Sequence, residues 1–369
     1  MWTDSDRFAG TERHCLDLAV GLSGLGVDVS LGCRPDTPLF RKAGEEGVHL
    51  VELDAHLGPL KAAARVGRLL KSRAADIVHV HNGKCAVLAR MAIARAKRGA
   101  LVATQHFIDP ARTRRRGLLR RASNQVHRWV DKGVARWISI SGAVRDAMVL
   151  RGDSRPEKIS LVLNGVRPGV VSELDRHAAR QLLSLPVDRQ VLVCPARLEP
   201  EKGHFVLLNA LKMLGREGVD FLALCVGEGS AEGAIRERIQ AMGLEDRVWL
   251  VGQQPEIGVW LRSADAVVLP SPAEPFGLAL VEAMCRRVPV VAAAAGGPSE
   301  ILEDEAGLLF KPNDARDLGE KLLALLTRVG LRESLAESGF RRWAERFTIE
   351  KMSSGVLEAY HEVLSSKAV

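Results

Sequence analysis

The stretch Ser271-Pro-Ala-Glu-Pro-Phe-Gly-Leu-Ala-Leu-Val-Glu-Ala-Met places two carboxylates, Glu274 and Glu282, around an expected helix start near Gly277. The first N–H groups of a helix have no intrahelical partner and lie at the positive end of its dipole. Phe276, Gly277 and Leu278 therefore suit a docked phosphate. Carboxylates flanking it can accept hydrogen bonds from sugar hydroxyls, although an acid near a helix start also interacts favourably with the dipole alone. His79-Val-His81 puts two imidazoles on one face of a strand, a potential metal pair. No third ligand at clear spacing accompanies them, so packed interior or crevice-edge histidines are the better reading.

These residues need a scaffold, and the apolar pattern supplies one. Short β-branched runs alternate with helical patterns, at Val27 to Cys33, Asp76 to Val80, Leu101 to Gln105, Trp137 to Ser141 and Ile159 to Leu163, with a second series from Val191. Runs such as Asp265-Ala-Val-Val-Leu are apolar on both faces, as in parallel strands covered by crossover helices. At 369 residues the chain exceeds one core, so the reading is α/β with two doubly wound domains. The expected division is 1–168, 169–350 and a final helix, 351–369, that crosses back onto the first domain. A hinge is expected over 167–190, and domain closure is expected to assemble the site. The first helix, Glu12 to Leu25, follows Arg7-Phe-Ala-Gly-Thr with almost nothing ahead of it to form the central strand of such a sheet. Either residues upstream of Met1 are missing, or Met1-Trp2-Thr3 is the stub of that strand.

Glu274-Pro-Phe-Gly-Leu-Ala-Leu-Val-Glu282 resembles the E-x7-E motif of the family-4 retaining glycosyltransferases of the GT-B fold. Other segments match in the same order: Ala9-Gly-Thr-Glu, Thr104-Gln-His106, Asn164-Gly-Val, Pro195-Ala-Arg-Leu-Glu-Pro-Glu-Lys-Gly, Val226-Gly-Glu-Gly and Gly296-Gly-Pro-Ser-Glu. The resemblance covers essentially the whole chain. It implies two Rossmann-like domains facing across a crevice and transfer of a sugar from a nucleotide diphosphate with retention of configuration. By position it assigns Arg197 and Lys202 to the donor diphosphate, Glu282 to the ribose, Glu274 and His106 to the transferred sugar, and Gly10 to the phosphates. At the last site the family usually has two adjacent glycines, where this chain has Ala9-Gly10. Two cations and a helix start can stabilise a leaving diphosphate, so neither metal nor cofactor is expected. Asp4-Ser5-Asp6 looks like the metal-binding D-x-D of the other major glycosyltransferase fold, but it follows no nucleotide-binding strand. UDP-sugars are the first expectation for the donor and GDP-mannose the second. The acceptor is a glycan, a lipid-linked intermediate or a small natural product.

Charge and composition narrow the partners. Positions 1–168 hold 29 of the 52 basic residues and 16 of the 45 acidic ones, leaving the first part at +13 and the remainder at −6. A summed positive field attracts anions. The run Arg112-Thr-Arg-Arg-Arg-Gly-Leu-Leu-Arg-Arg supplies Arg114, Arg115, Arg116, Arg120 and Arg121 for a phosphorylated acceptor or an anionic membrane surface. A solvated helix face explains the run equally well. Nucleic acid is not expected, because no recognition motif or aromatic interleaving accompanies the charge. No apolar run is long enough to span a membrane and the start lacks signal-peptide character, so the expected location is the cytoplasm, with contact at the inner membrane face. The six cysteines form no C-x-x-C pair and sit in apolar runs, which reads as buried, reduced thiols. Three rivals stand beside this reading: a sugar-nucleotide epimerase of the same fold, a non-catalytic nucleotide-binding scaffold, and a dinucleotide-dependent oxidoreductase. The third fails because Phe8-Ala-Gly-Thr-Glu-Arg is not G-x-G-x-x-G.

Overall fold

The computed structural model of the chain describes residues 1–6, 8–54, 58–73, 75–110, 113, 116–168 and 174–366. It divides into two compact units: Met1–Gly165 with Thr348–Val369, and Val166–Phe347.

The first unit contains strands β1 (Ser30–Cys33), β2 (His49–Glu52), β3 (Ile77–Val80), β4 (Ala100–Gln105), β5 (Val134–Ser139) and β6 (Ile159–Leu161). Between and around them run helices α1 (Gly10–Gly24), α2 (Pro38–Glu45), α3 (Pro59–Arg73), α4 (Gly83–Ala96), α5 (Gly117–Gly133) and α6 (Gly142–Leu150). The pairs β1–β2 and β3–β4–β5–β6 are parallel. Met1–Thr3 lies between the two groups. Trp2 bridges in parallel to Gly32 and Val80, donating its N–H to His79 O at 2.8 Å and accepting from His81 N–H at 3.2 Å. The order is then β2-β1-(Met1–Thr3)-β3-β4-β5-β6, the 3-2-1-4-5-6 arrangement of a doubly wound sheet with one further strand. Polar caps start α4 and α6: Asn82 Oδ1 accepts from Cys85 N–H at 2.8 Å, and Ser141 Oγ from Val144 N–H at 3.1 Å.

The second unit holds β7 (Gln190–Cys194), β8 (Phe221–Val226), β9 (Val248–Gly252), β10 (Ala266–Leu269), β11 (Val290–Ala293) and β12 (Leu308–Phe310). Its helices are α7 (Arg176–Leu182), α8 (His204–Arg216), α9 (Glu232–Ala241), α10 (Ile257–Ser263), α11 (Leu278–Met284), α12 (Gly297–Ile301), α13 (Ala315–Thr327) and α14 (Val329–Arg346). The sheet order β9-β8-β7-β10-β11-β12 is again 3-2-1-4-5-6 and wholly parallel. Strands β8, β10 and β11 are buried along their whole length, which explains their continuous apolar sequences. Asp265 anchors the start of β10. Its carboxylate accepts from Val191 N–H at 2.7 Å and from the buried Arg180 guanidinium at 2.6 Å.

The last helix, α15 (Ile349–Ser365), belongs to the first unit. Met352, Val356, Tyr360 and Val363 share one core cluster with Leu18 and Leu22 of α1 and Val102 of β4. All six cysteines are buried and unpaired.

Candidate functional site

In an open parallel sheet, ligands bind beyond the carboxyl ends of the strands where the strand order reverses. In the second unit that place lies between β7 and β10. The loop after β7 carries Arg197 and Lys202, and the loop after β10 carries Glu274. Lys202 Nζ donates to Glu274 Oε2 at 2.7 Å, with both side chains mostly shielded, at 16% and 14% exposure. Backbone-to-backbone approach fixes these loops. Gly203 has φ +77°, and a Cβ there would lie 2.2 Å from Pro270 O; a Cβ on Gly297 would lie 2.3 Å from Phe276 O. Gly297 N–H also donates to Glu274 O at 2.9 Å, joining the loops after β10 and β11.

Gly277, at φ +107°, turns the chain into α11. The loop that carries Glu274 leads directly into that helix, whose first N–H groups, Leu278 among them, have no intrahelical partner. Phe276 leaves only its backbone for a ligand, because its ring is buried edge-on against Phe347 with centroids 6.0 Å apart. Glu282, one turn into α11, is half-buried, and among the described residues its carboxylate has no hydrogen bond or ion pair. Arg197 is more exposed and faces its own loop, with Glu199 at 3.6 Å and Glu201 at 3.5 Å. Two buried groups nearby went unnoticed in the sequence: Ser271, whose Oγ has no partner, and His204, whose Nδ1 has none. Burial, helped by the charge of Lys202, pushes the His204 imidazole down to about 4.

The equivalent place in the first unit is built from histidines. His81 follows β3, His106 follows β4 and His14 lies one turn inside α1, which opens at Gly10. His81 Nδ1 and His106 Nε2 stand 3.3 Å apart, so one of the two rings donates and the other accepts. His14 packs edge-on against both, with centroids 5.4 Å and 4.9 Å away. Behind them His79 is held at both nitrogens, by Tyr360 Oη at 2.6 Å and Thr104 Oγ1 at 2.7 Å. Burial holds all four imidazoles below their ordinary range. His14 falls to about 4, with the Asn164 side chain opposing; His79, His81 and His106 fall well below 6.5, with neighbouring positive charge adding to the effect. The cluster is therefore neutral near pH 7. Both ring nitrogens of His14 and Nε2 of His81 have no hydrogen-bond partner.

This cluster changes one inference from the sequence. His79 and His81 were set aside as a metal pair for lack of a third ligand, yet His14, His81 and His106 offer nitrogens that all lie within 4.8 Å of one another. Helix α1 supplies the ligand that strand spacing could not reveal. Three neutral imidazoles with one open position are a ligand set that zinc accepts, so the geometry of this group admits an ion.

Arg116, Arg120 and Arg121 lie exposed at the start of α5, and Arg114 and Arg115 fall outside the described residues. Residues 8–169 match the family described as Glycosyltransferase Family 4, and residues 175–342 that described as Glycosyl transferases group 1. A D-inositol 3-phosphate glycosyltransferase of Thermobispora bispora is 32% identical over 57% of this chain and 51% of its own. One of Kribbella flavida is 28% identical over 97% and 92%. The matched part spans about half the length of the first of these curated relatives. Among solved structures, a glycosyltransferase from Rickettsia africae superposes with a TM-score of 0.83 at 21% identity, covering 98% of this chain and 97% of that one. Anabaena Alr3699/HepE in complex with UDP and glucose gives 0.82 at 23%, covering 97% of each. With both halves matched in order and two sheets of doubly wound topology, the chain belongs to the family-4 glycosyltransferases of the GT-B fold.

Proposed function

We propose that the protein transfers a hexose-type sugar from a nucleoside diphosphate sugar, a UDP-sugar in the first instance and GDP-mannose in the second, with retention and without a metal ion. The observation that carries this reading is the Lys202–Glu274 pair at the strand-order reversal of the second sheet, beside the start of α11. Lys202 and Arg197 with the helix N–H groups neutralise the departing diphosphate. Glu274 accepts from hydroxyls of the transferred sugar, and Glu282, whose carboxylate makes no hydrogen bond or ion pair among the described residues, accepts from the ribose. A diphosphate that engages Lys202 releases Glu274 for the sugar, so one pre-paired contact becomes two substrate contacts.

His106 is assigned to the transferred sugar and Gly10 to the phosphates by their matching positions. A neutral imidazole can donate to a hydroxyl or accept from one, which suits a polar substrate that carries no charge at that end. Retention follows a front-face course, in which the departing phosphate oxygen takes the acceptor's proton while the acceptor oxygen bonds to the anomeric carbon on the same face. This course needs the cations and the helix start and no protein nucleophile. The neighbour in complex with UDP and glucose supports the donor class, and the relatives named D-inositol 3-phosphate glycosyltransferase support sugar transfer to a phosphorylated acceptor. Acceptors in keeping with the basic first part are glycans, lipid-linked intermediates of polysaccharide assembly and phosphorylated small molecules.

The test is incubation with UDP-sugars and GDP-mannose in EDTA, following nucleoside diphosphate release and the first-formed anomer by proton NMR. Release with the donor's own anomeric configuration is expected. An inverted product, or an epimerised nucleotide sugar without release, would overturn the proposal.

A further inference from the structure

Helix α5 is the exception to the packing of the first unit. Over 17 residues it buries one side chain, Val130. Three of its other apolar side chains face outward at helical spacing, Leu118 at 79% exposure, Leu119 at 68% and Val126 at 47%, while Trp129, 40% exposed, is covered on one face by the Arg90 guanidinium 4.1 Å from its ring centroid. A helix that served only as a crossover would turn this stripe onto the sheet. Arg121, Arg128 and Lys132 run along one flank of the stripe, and Arg116 and Arg120 lie toward the other near its start. Among the described residues none of these five pairs with a carboxylate. The single acid of the helix, Asp131, accepts from Trp137 Nε1 at 2.9 Å.

We propose that α5 is a membrane-docking helix that seats its apolar stripe in the headgroup boundary of an anionic lipid bilayer. Two features single out a lipid surface. A soluble phosphorylated molecule would be met by the arginines alone and leaves Leu118 and Leu119 unexplained. A neutral apolar partner leaves the unpaired cations unexplained. An interfacial helix needs both, with apolar side chains entering the acyl boundary and long cationic ones reaching phosphate headgroups. The excess positive charge of positions 1–168 adds long-range attraction to the same surface. This inference is independent of the donor reading, since α5 contributes nothing to the residues assigned to the nucleotide.

The experiment is flotation of the full chain with phosphatidylcholine vesicles, with and without phosphatidylglycerol, at low and high salt. Binding is expected only with the anionic lipid and falls steeply with salt. Leu118→Gln with Leu119→Gln is expected to weaken it at least about tenfold, with unfolding temperature and UDP binding unchanged. Arg120→Glu with Arg121→Glu is expected to cost at least about fivefold for each cation. Equal binding to both vesicle types, or none to either, would overturn the proposal. So would loss in the arginine variant with none in the leucine variant, which would show electrostatic attachment alone, with no apolar stripe seated in the bilayer.

Discussion

The second unit meets the strand-order reversal between β7 and β10 with Lys202, Arg197, Glu274 and Glu282, two basic and two acidic side chains. The first unit, with the same 3-2-1-4 core order, meets the equivalent position with His14, His81 and His106, backed by His79, all held neutral by burial. One topology thus presents two opposite chemistries from matching loops. The difference teaches how the labour is divided in the proposed reaction. Developing negative charge on a diphosphate calls for fixed cations, whereas a hydroxyl can be met by a carboxylate that only accepts, as proposed for Glu274 and Glu282, or by a neutral imidazole that donates or accepts, as proposed for His106.

The strongest way to break this comparison is to remove the cation. Lys202→Ala is expected to lower kcat/KM about 100- to 1,000-fold, the usual cost of losing a group aimed at transition-state charge. It also strands Glu274, so donor affinity should fall as well. Steady-state kinetics on a variant with an unchanged circular dichroism spectrum is the check, and turnover within a few fold of wild type would refute the role.

Acid sharpens the contrast. A buried imidazole whose folded pKa lies below its unfolded value of about 6.5 opposes folding once the unfolded chain takes up the proton. Its stabilising contribution is therefore whole above about pH 6.5 and is lost as pH falls toward the folded value, about 4 for His14. Each such histidine costs up to about 1.4 kcal/mol per pH unit in that window. The first unit has four of them and the second has His204. Limited proteolysis at about pH 5 should cut the first unit well before the second. Equal susceptibility would show that the cluster is not buried as described.

A smaller effect tests the loop packing of the second unit. Gly203→Ala should destabilise by about 1–3 kcal/mol, because φ of +77° and the contact with Pro270 O both oppose a Cβ. The matching change at Gly24 of α1, where a Cβ meets nothing within 4 Å, should leave the unfolding midpoint nearly unmoved. The smallest expected effect is that of EDTA, which should alter neither turnover nor melting temperature. Loss of activity restored by zinc, and absent in His14→Ala, would make the histidine group a metal site.

The continuous apolar run Asp265-Ala-Val-Val-Leu announced β10, because a strand buried on both faces leaves no alternation to misread. Strand β2, His49–Glu52, escaped notice because it is half-exposed at the sheet edge and only four residues long. Arg197, Lys202 and Glu274 stood out in the sequence by motif, and the structure sets them on the loops after β7 and β10. The contact between the last two was not legible there, since Lys202 and Glu274 lie 72 residues apart on loops brought together by strand order. His14 was missed for a related reason. Its position one helical turn beyond Gly10 was the available signal, but only the sheet brings α1 against the ends of β3 and β4. Tyr360, the one tyrosine in the chain, acquires its partner His79 281 residues away through the return of α15.

The most direct test of this division is calorimetric titration of UDP in EDTA into the wild-type protein, Lys202→Ala and His106→Ala. The account predicts that Lys202→Ala loses at least about tenfold in affinity, as expected for a hydrogen bond to a charged group. His106→Ala should bind UDP as the wild type does while losing turnover. Unchanged binding in Lys202→Ala, or loss of UDP binding in His106→Ala, would contradict it.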